Sequence, residues 1–195
     1  MTNDQIREAV SVLRRGGVIA FPTETTYGLG CDPRNRKAMR RIYNIKGREK
    51  KKPLLLVAAS LAQASRVADV SRLSPQLRRY WPGPVTFVLP SKKGRGDIAI
   101  RVSSSPIVRR LCRAFGYPII ATSANRSGQP DCRSGRAVVR VFAKRCERPD
   151  FILDVGALPR RKPSTIARVK EDGRVEILRK GATHPLPPLL KQERG

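Results

Sequence analysis

Histidine is almost missing from this chain: a single one, His184, stands in 195 residues, close to the C-terminal end. No Ser-His or Cys-His pair can therefore be assembled around an internal site. Acids are scarce as well, 15 Asp and Glu against 41 Lys and Arg. Only Glu24 and Asp32 fall near the stretch that looks built for a ligand, so catalysis by paired carboxylates is poorly supplied. The cysteines, Cys31, Cys112, Cys132 and Cys146, form no C-x-x-C pair, which points away from both a zinc site and a disulfide framework. Cys112 sits on the apolar face of an expected helix and reads as core filler. No stretch approaches the roughly 18 apolar residues of a membrane span, and no basic start with a long apolar core opens the chain. A soluble, cytoplasmic protein is expected. Neither GxxxxGK[ST] nor a GxGxxG between strand and helix occurs, so a bound nucleotide would use neither cradle.

What is abundant is positive charge, a formal +26. Such a field attracts polyanions, with nucleotides and nucleic acid the obvious candidates; the alternative is solvated charge spread over exposed faces. Hydrophobic content of 39% fits a globular chain, and this length buries most of the surface exposed on unfolding. One domain over residues 1–182 is expected, followed by a flexible proline-rich tail, 183–195.

Apolar periodicity predicts helices over 3–15 (Ile6, Ala9, Val10 and Leu13 on one face, capped by Asn3 or Asp4), 36–45, 61–68, 74–80 and 134–144, and one from Ser105-Pro106 to Gly116. Strands are expected at 18–21, in LLLVAA, at 85–90 and 98–102, in PIIATSAN, FILDVG and STIARV, and in VEILR. Strands interleaved with helices predict an α/β fold on a mixed sheet.

Three patterns carry chemistry. PTETTYGLG, residues 22–30, puts hydroxyls on what reads as a glycine-hinged loop. Lys46-Gly47-Arg48 follows a helix, and its glycine lets two cations converge on one anion; the alternative is a solvated helix end. Ser123-Ala124-Asn125 offers a hydroxyl and an amide where a strand emerges into a loop, a common ligand position in open α/β sheets, although Ser and Asn are also ordinary turn residues. With no nucleophile at hand, such a set works by positioning and by cations aimed at phosphate.

Taken together, GVIAFPTETTYGLG (17–30), KGR (46–48), KPL (52–54), WPGPVTF (81–87), AIRV (99–102), ATSANRSG (121–128), PSTI (163–166) and ILRKG (177–181) resemble the YrdC family, in family order over nearly the whole chain. The resemblance implies a twisted mixed α/β sheet with flanking helices around a basic central cavity. It also implies a reaction in which L-threonine, bicarbonate and ATP give threonylcarbamoyl-adenylate and pyrophosphate, the first step of tRNA threonylcarbamoyladenosine formation. By the same resemblance Lys46, Arg48, Ser123 and Asn125 are the catalytic residues and hold the ATP phosphates, joined by Lys52 and Arg179. Thr25, Tyr27, Arg101 and Ser164 form the threonine pocket, Arg101 pairing with the carboxylate bidentately. Mg²⁺ is expected to arrive with ATP, held by phosphates and water rather than by a protein cluster, and transfer proteins acting on tRNA are the implied partners. Val57 stands where some longer members carry a histidine. The rival function is a YrdC-like module that binds double-stranded RNA or tRNA without synthase activity. Aromatics make up 5% of the chain and none is interleaved in KGREKKKP, which disfavours stacking on single strands but leaves a phosphate-reading surface open.

Overall fold

The computed structural model describes residues 2–49, 53–92, 94 and 96–183; the expected nucleotide-binding Lys52, His184 and all but the first residue of the expected tail lie outside the described residues. Helix α1 (Asn3–Arg14) is capped by Thr2, not by Asn3 or Asp4. The Thr2 hydroxyl accepts from the Gln5 N–H while the Gln5 side chain accepts from the Thr2 N–H, a reciprocal pair that satisfies two donors the helix cannot. Helix α5 (Pro106–Phe115) begins on Ser105 and closes on Gly116 at φ 82°, as the Ser-Pro and Gly signals predict. Helices α2 (Arg36–Lys46) and α6 (Gly135–Phe142) also fall where expected. Two expected helices shrink to single turns, α3 (Leu61–Ala64) and α4 (Pro75–Arg78).

The strands β1 (Ile19–Pro22), β2 (Tyr27–Gly30), β3 (Leu55–Ala58), β4 (Val85–Pro90), β5 (Asp97–Val102), β6 (Ile119–Ser123), β7 (Phe151–Ile152), β8 (Thr165–Val169) and β9 (Val175–Arg179) form one sheet in the order β7-β1-β2-β6-β3-β5-β4-β8-β9. The sheet is mixed: β1–β7, β3–β5 and β4–β8 are parallel, the remaining pairs antiparallel. Helices α1 and α5 cover one face through Ile6, Leu13, Phe21, Val57, Leu111 and Ile119. The other face packs a larger core that includes Leu29, Ile42, Phe87, Ile100 and Phe142. Among the described residues, no helix is long and apolar enough to cross a membrane.

Strand β2 corrects the reading of PTETTYGLG as a loop. Its second half pairs antiparallel with β1 and with β6, and its glycines serve the sheet rather than a ligand. A Cβ on Gly30 would lie 2.6 Å from the Ile120 carbonyl and 2.6 Å from the Phe21 ring; one on Gly28 would lie 3.2 Å from the Thr122 carbonyl. The loop proper is confined to Thr23–Thr26.

Candidate active site

Lys46 is the last residue of α2. Gly47 follows in the left-handed region at φ 57°, with its N–H on the Asn44 carbonyl and that of Arg48 on the Tyr43 carbonyl, so the chain turns sharply between the two cations. That turn sends both side chains to the end of β6. The Lys46 ammonium donates to the Ser123 carbonyl (2.6 Å), the Asn125 carbonyl (3.0 Å) and Asn125 Oδ1 (2.7 Å). Arg48 donates to Thr122 Oγ1 (3.4 Å) and the Pro53 carbonyl (3.1 Å), while its Nε is buried without a partner. Ser123 Oγ donates to Asn125 Oδ1 at 2.7 Å. The Lys-x-Arg and Ser-x-Asn pairs thus form one cluster, as expected. Burial, and secondarily the charge of Arg48, pushes the Lys46 amine down to about 8.

A second cluster lies further along the sheet. Arg101, opposite Val57 in the β3–β5 register, is 4% exposed and sets Nη1 3.3 Å from Glu24 Oε1. It is therefore shielded from water. Burial lowers its pKa and Glu24 opposes that. Glu24 Oε2 accepts from the Ser103 hydroxyl at 2.9 Å. Arg179 donates to the Ser164 carbonyl (2.8 Å) and hydroxyl (3.1 Å), and Ser164 Oγ lies 3.2 Å from Thr86 Oγ1. Burial and the neighbouring charge of Arg101 lower Arg179. Asp131 acts electrostatically on both Lys46 and Arg179, and the two clusters together carry more positive than negative charge.

The Thr23–Thr26 loop reaches the second cluster through Glu24. Thr23 Oγ1 accepts from the N–H groups of Thr25 and Thr26, donates to the Thr26 carbonyl and lies 3.2 Å from Thr25 Oγ1, which orients the Thr25 hydroxyl. Tyr27 departs from expectation. Its ring is fully buried in the core, and its hydroxyl lies 2.8 Å from Asp154 Oδ1 and 2.9 Å from the Gly156 carbonyl while accepting from the Val155 N–H; burial above all pushes it up to about 12. It ties the loop to the 154–156 turn rather than walling a pocket. Asp32 also departs: it binds Arg34 through paired bonds and takes no part in either cluster. Sequence reasoning missed Thr23, Thr86 and Thr122, polar residues inside the quoted motifs, and Ser103 and Asp131, which fall just past the ends of two of them. Among the described residues no group of three or more His, Cys, Asp or Glu gathers.

The site holds a cation cluster able to grip phosphates and a buried arginine suited to a carboxylate; that pairing fits a reaction joining a nucleotide to an acid. The family model for Sua5, YciO and YrdC, described as telomere recombination, matches residues 11–181. A Klebsiella pneumoniae protein named threonylcarbamoyl-AMP synthase is 42% identical over 154 residues, 73% of this chain and 81% of that protein. The structure of P. abyssi Sua5 complexed with L-threonine superposes with a TM-score of 0.81 at 33% identity, covering 90% of this chain; this chain spans about half, 54%, of that longer one. E. coli YciO superposes with a TM-score of 0.78 at 28% identity, covering 92% of this chain and 90% of its own.

Proposed function

The chain belongs to the Sua5/YciO/YrdC family, and on that premise we propose that it is a threonylcarbamoyl-AMP synthase. It takes L-threonine, bicarbonate and ATP, releases pyrophosphate, and supplies the adenylate to proteins that modify tRNA in the cytoplasm. The observation that carries this reading is the convergence of Lys46 and Arg48 on the end of β6, beside a separate buried arginine, Arg101. Lys46, Arg48, Ser123 and Asn125, with Lys52 and Arg179, hold the triphosphate. Arg101 receives the threonine carboxylate, with Ser164 beside it, and Thr25 orients the amino acid.

The attacking oxygen belongs to the carbamate formed on threonine's own amine. It bonds to the α-phosphorus as the bond to pyrophosphate breaks, so the protein needs no nucleophile and acts by alignment and by stabilising charge on phosphate oxygens. Among the described residues no group of three or more His, Cys, Asp or Glu gathers that could hold a metal ion. An Mg²⁺ ion would therefore be held chiefly by phosphates and water, where it offsets their charge. Purified protein is expected to release pyrophosphate from ATP only when L-threonine and bicarbonate are both present. Release that proceeds without threonine would sink the assignment.

RNA contact is a second reading, favoured by a groove of roughly 600 Å³ whose lining includes Arg126, Arg140, Arg145 and Asp131. Replacing Arg126, Arg140 and Arg145 with Gln is expected to weaken tRNA binding and to flatten the slope of log affinity against log salt by about 0.7 to 0.9 for each phosphate that is no longer neutralised, with pyrophosphate release retained. An unchanged slope in a titration from roughly 50 to 200 mM salt removes the groove from consideration.

A further inference from the structure

Glu24 is the acid in the middle of PTETTYGLG and the only one in that stretch. Its surroundings decide between a base, a structural ion pair and a tool for Arg101. A proton acceptor needs an atom the substrate can reach. Glu24 Oε1 is closed off and makes no hydrogen bond, its nearest cation being Arg101 Nη1 at 3.3 Å, and Oε2 is taken by the Ser103 hydroxyl. The carboxylate therefore faces inward, onto the guanidinium.

Arg101 needs such a partner. It stands on a central strand between β3 and β4, its Nε is buried and unpartnered, and its charge is close enough to Arg179 to disfavour the charge there. Two neighbouring guanidinium groups repel, and a long side chain held at one end alone would swing away. A carboxylate against one nitrogen offsets the charge and fixes the plane of the fork before an anion arrives, which lowers the ordering cost of binding. Ser103 in turn fixes Glu24, and the same hydroxyl accepts from the Ser105 N–H at the start of α5. The chain of support runs from a helix terminus through Ser103 and Glu24 to Arg101.

We infer that Glu24 is a positioning residue for the amino-acid half of the reaction: it orients Arg101 for the substrate carboxylate and does not itself exchange a proton with substrate. The inference rests on the proposal that Arg101 receives the threonine carboxylate. Glu24→Gln keeps the shape and the Ser103 bond but removes the charge. In the full-length protein, steady-state pyrophosphate release is expected to show the KM for L-threonine raised about tenfold or more, with the KM for ATP within twofold of wild type. Glu24→Asp is expected to restore part of the threonine KM. If Glu24→Gln raises both KM values together, lowers kcat alone or changes neither, Glu24 is a structural ion-pair member or a base and the inference falls. Arg101→Lys measured alongside separates the two failures: an unchanged threonine KM there overturns the role of Arg101 itself, and with it this one. Should Glu24→Gln prove unfolded, Glu24→Asp carries the test, a selective rise in threonine KM supporting the inference and a uniform one refuting it.

Discussion

Lys46→Ala is expected to lower kcat/KM for ATP by about a hundredfold or more. A charge-assisted hydrogen bond contributes roughly 1.5 to 3 kcal/mol, and about 1.4 kcal/mol is a factor of ten in rate, so removing one hydrogen bond to phosphate alone accounts for about ten- to 150-fold. Lys46 does more than one such job. All three of its N–H donors are spent on Ser123 and Asn125 in the free protein, so it holds the Ser-x-Asn turn in place as well as lending its charge. The pH dependence distinguishes the two. Free Lys46 titrates near 8 rather than at the ordinary 10.5, and phosphates favour the ammonium form. Apparent ATP affinity should therefore be steady below pH 8 and weaken by up to about tenfold per unit above it, with proton uptake on binding. Stability runs the opposite way: the folded-state value lies below the unfolded one, so the charged amine costs the free protein stability in full below pH 8, and that cost lifts as the pH rises from about 8 towards 10.5. Lys46→Arg, charged throughout, should bind ATP more weakly but with no loss between pH 7.5 and 9.5. Calorimetric titration with a non-hydrolysable ATP analogue reads both; a wild-type affinity flat across that range would show that Lys46 does not meet the phosphates.

The half of the site proposed to hold phosphate was legible because its residues are close in sequence and obey local rules. Gly47 between two cations after a helical pattern, and Ser123-x-Asn125 after an apolar run, each state a backbone geometry. Helix α5 was legible for the same reason, from Ser105-Pro106 to Gly116. Strand β2 was not, because its residues are buried on both faces and show no alternation, and because glycines that admit the Ile120 carbonyl and the Phe21 ring look locally like glycines of a hinge. Helices α3 and α4 were overestimated where a few apolar residues at helical spacing cover only one turn. Tyr27 was misplaced since its partners, Asp154 to Gly156, lie more than 120 residues away. The amino-acid half is harder in general. Glu24, Ser103, Thr86 and Ser164 meet only through strand register and loop return, and nothing in a local window says that a glutamate between two threonines will neutralise an arginine on a distant strand.

That long-range pairing leads to the second large effect, on stability. Arg101→Leu is expected to destabilise the protein by about 3 to 5 kcal/mol, since removing one partner strands the other as an uncompensated buried charge. Arg101 and Glu24 are each about 5% exposed at the side chain, so little water reaches Glu24 to offset the loss. Glu24→Leu should cost a similar amount, because it leaves Arg101 facing Arg179 alone. The double variant Arg101→Leu/Glu24→Leu should recover most of either loss: a buried ion pair replaced by apolar groups of similar volume is often neutral, and Leu at 101 extends a face already lined by Val57. Urea unfolding of the four proteins at pH 7 measures this as a coupling energy of about 2 kcal/mol or more, with unchanged m-values. A double variant as unstable as the sum of its parents would mean that the two residues are held by separate neighbours and not by each other. On the proposed role of Arg101, the stable double variant would still lack threonine-dependent pyrophosphate release, a result that would separate the two properties: a fold that tolerates an apolar pair at this place, and charges that serve the substrate.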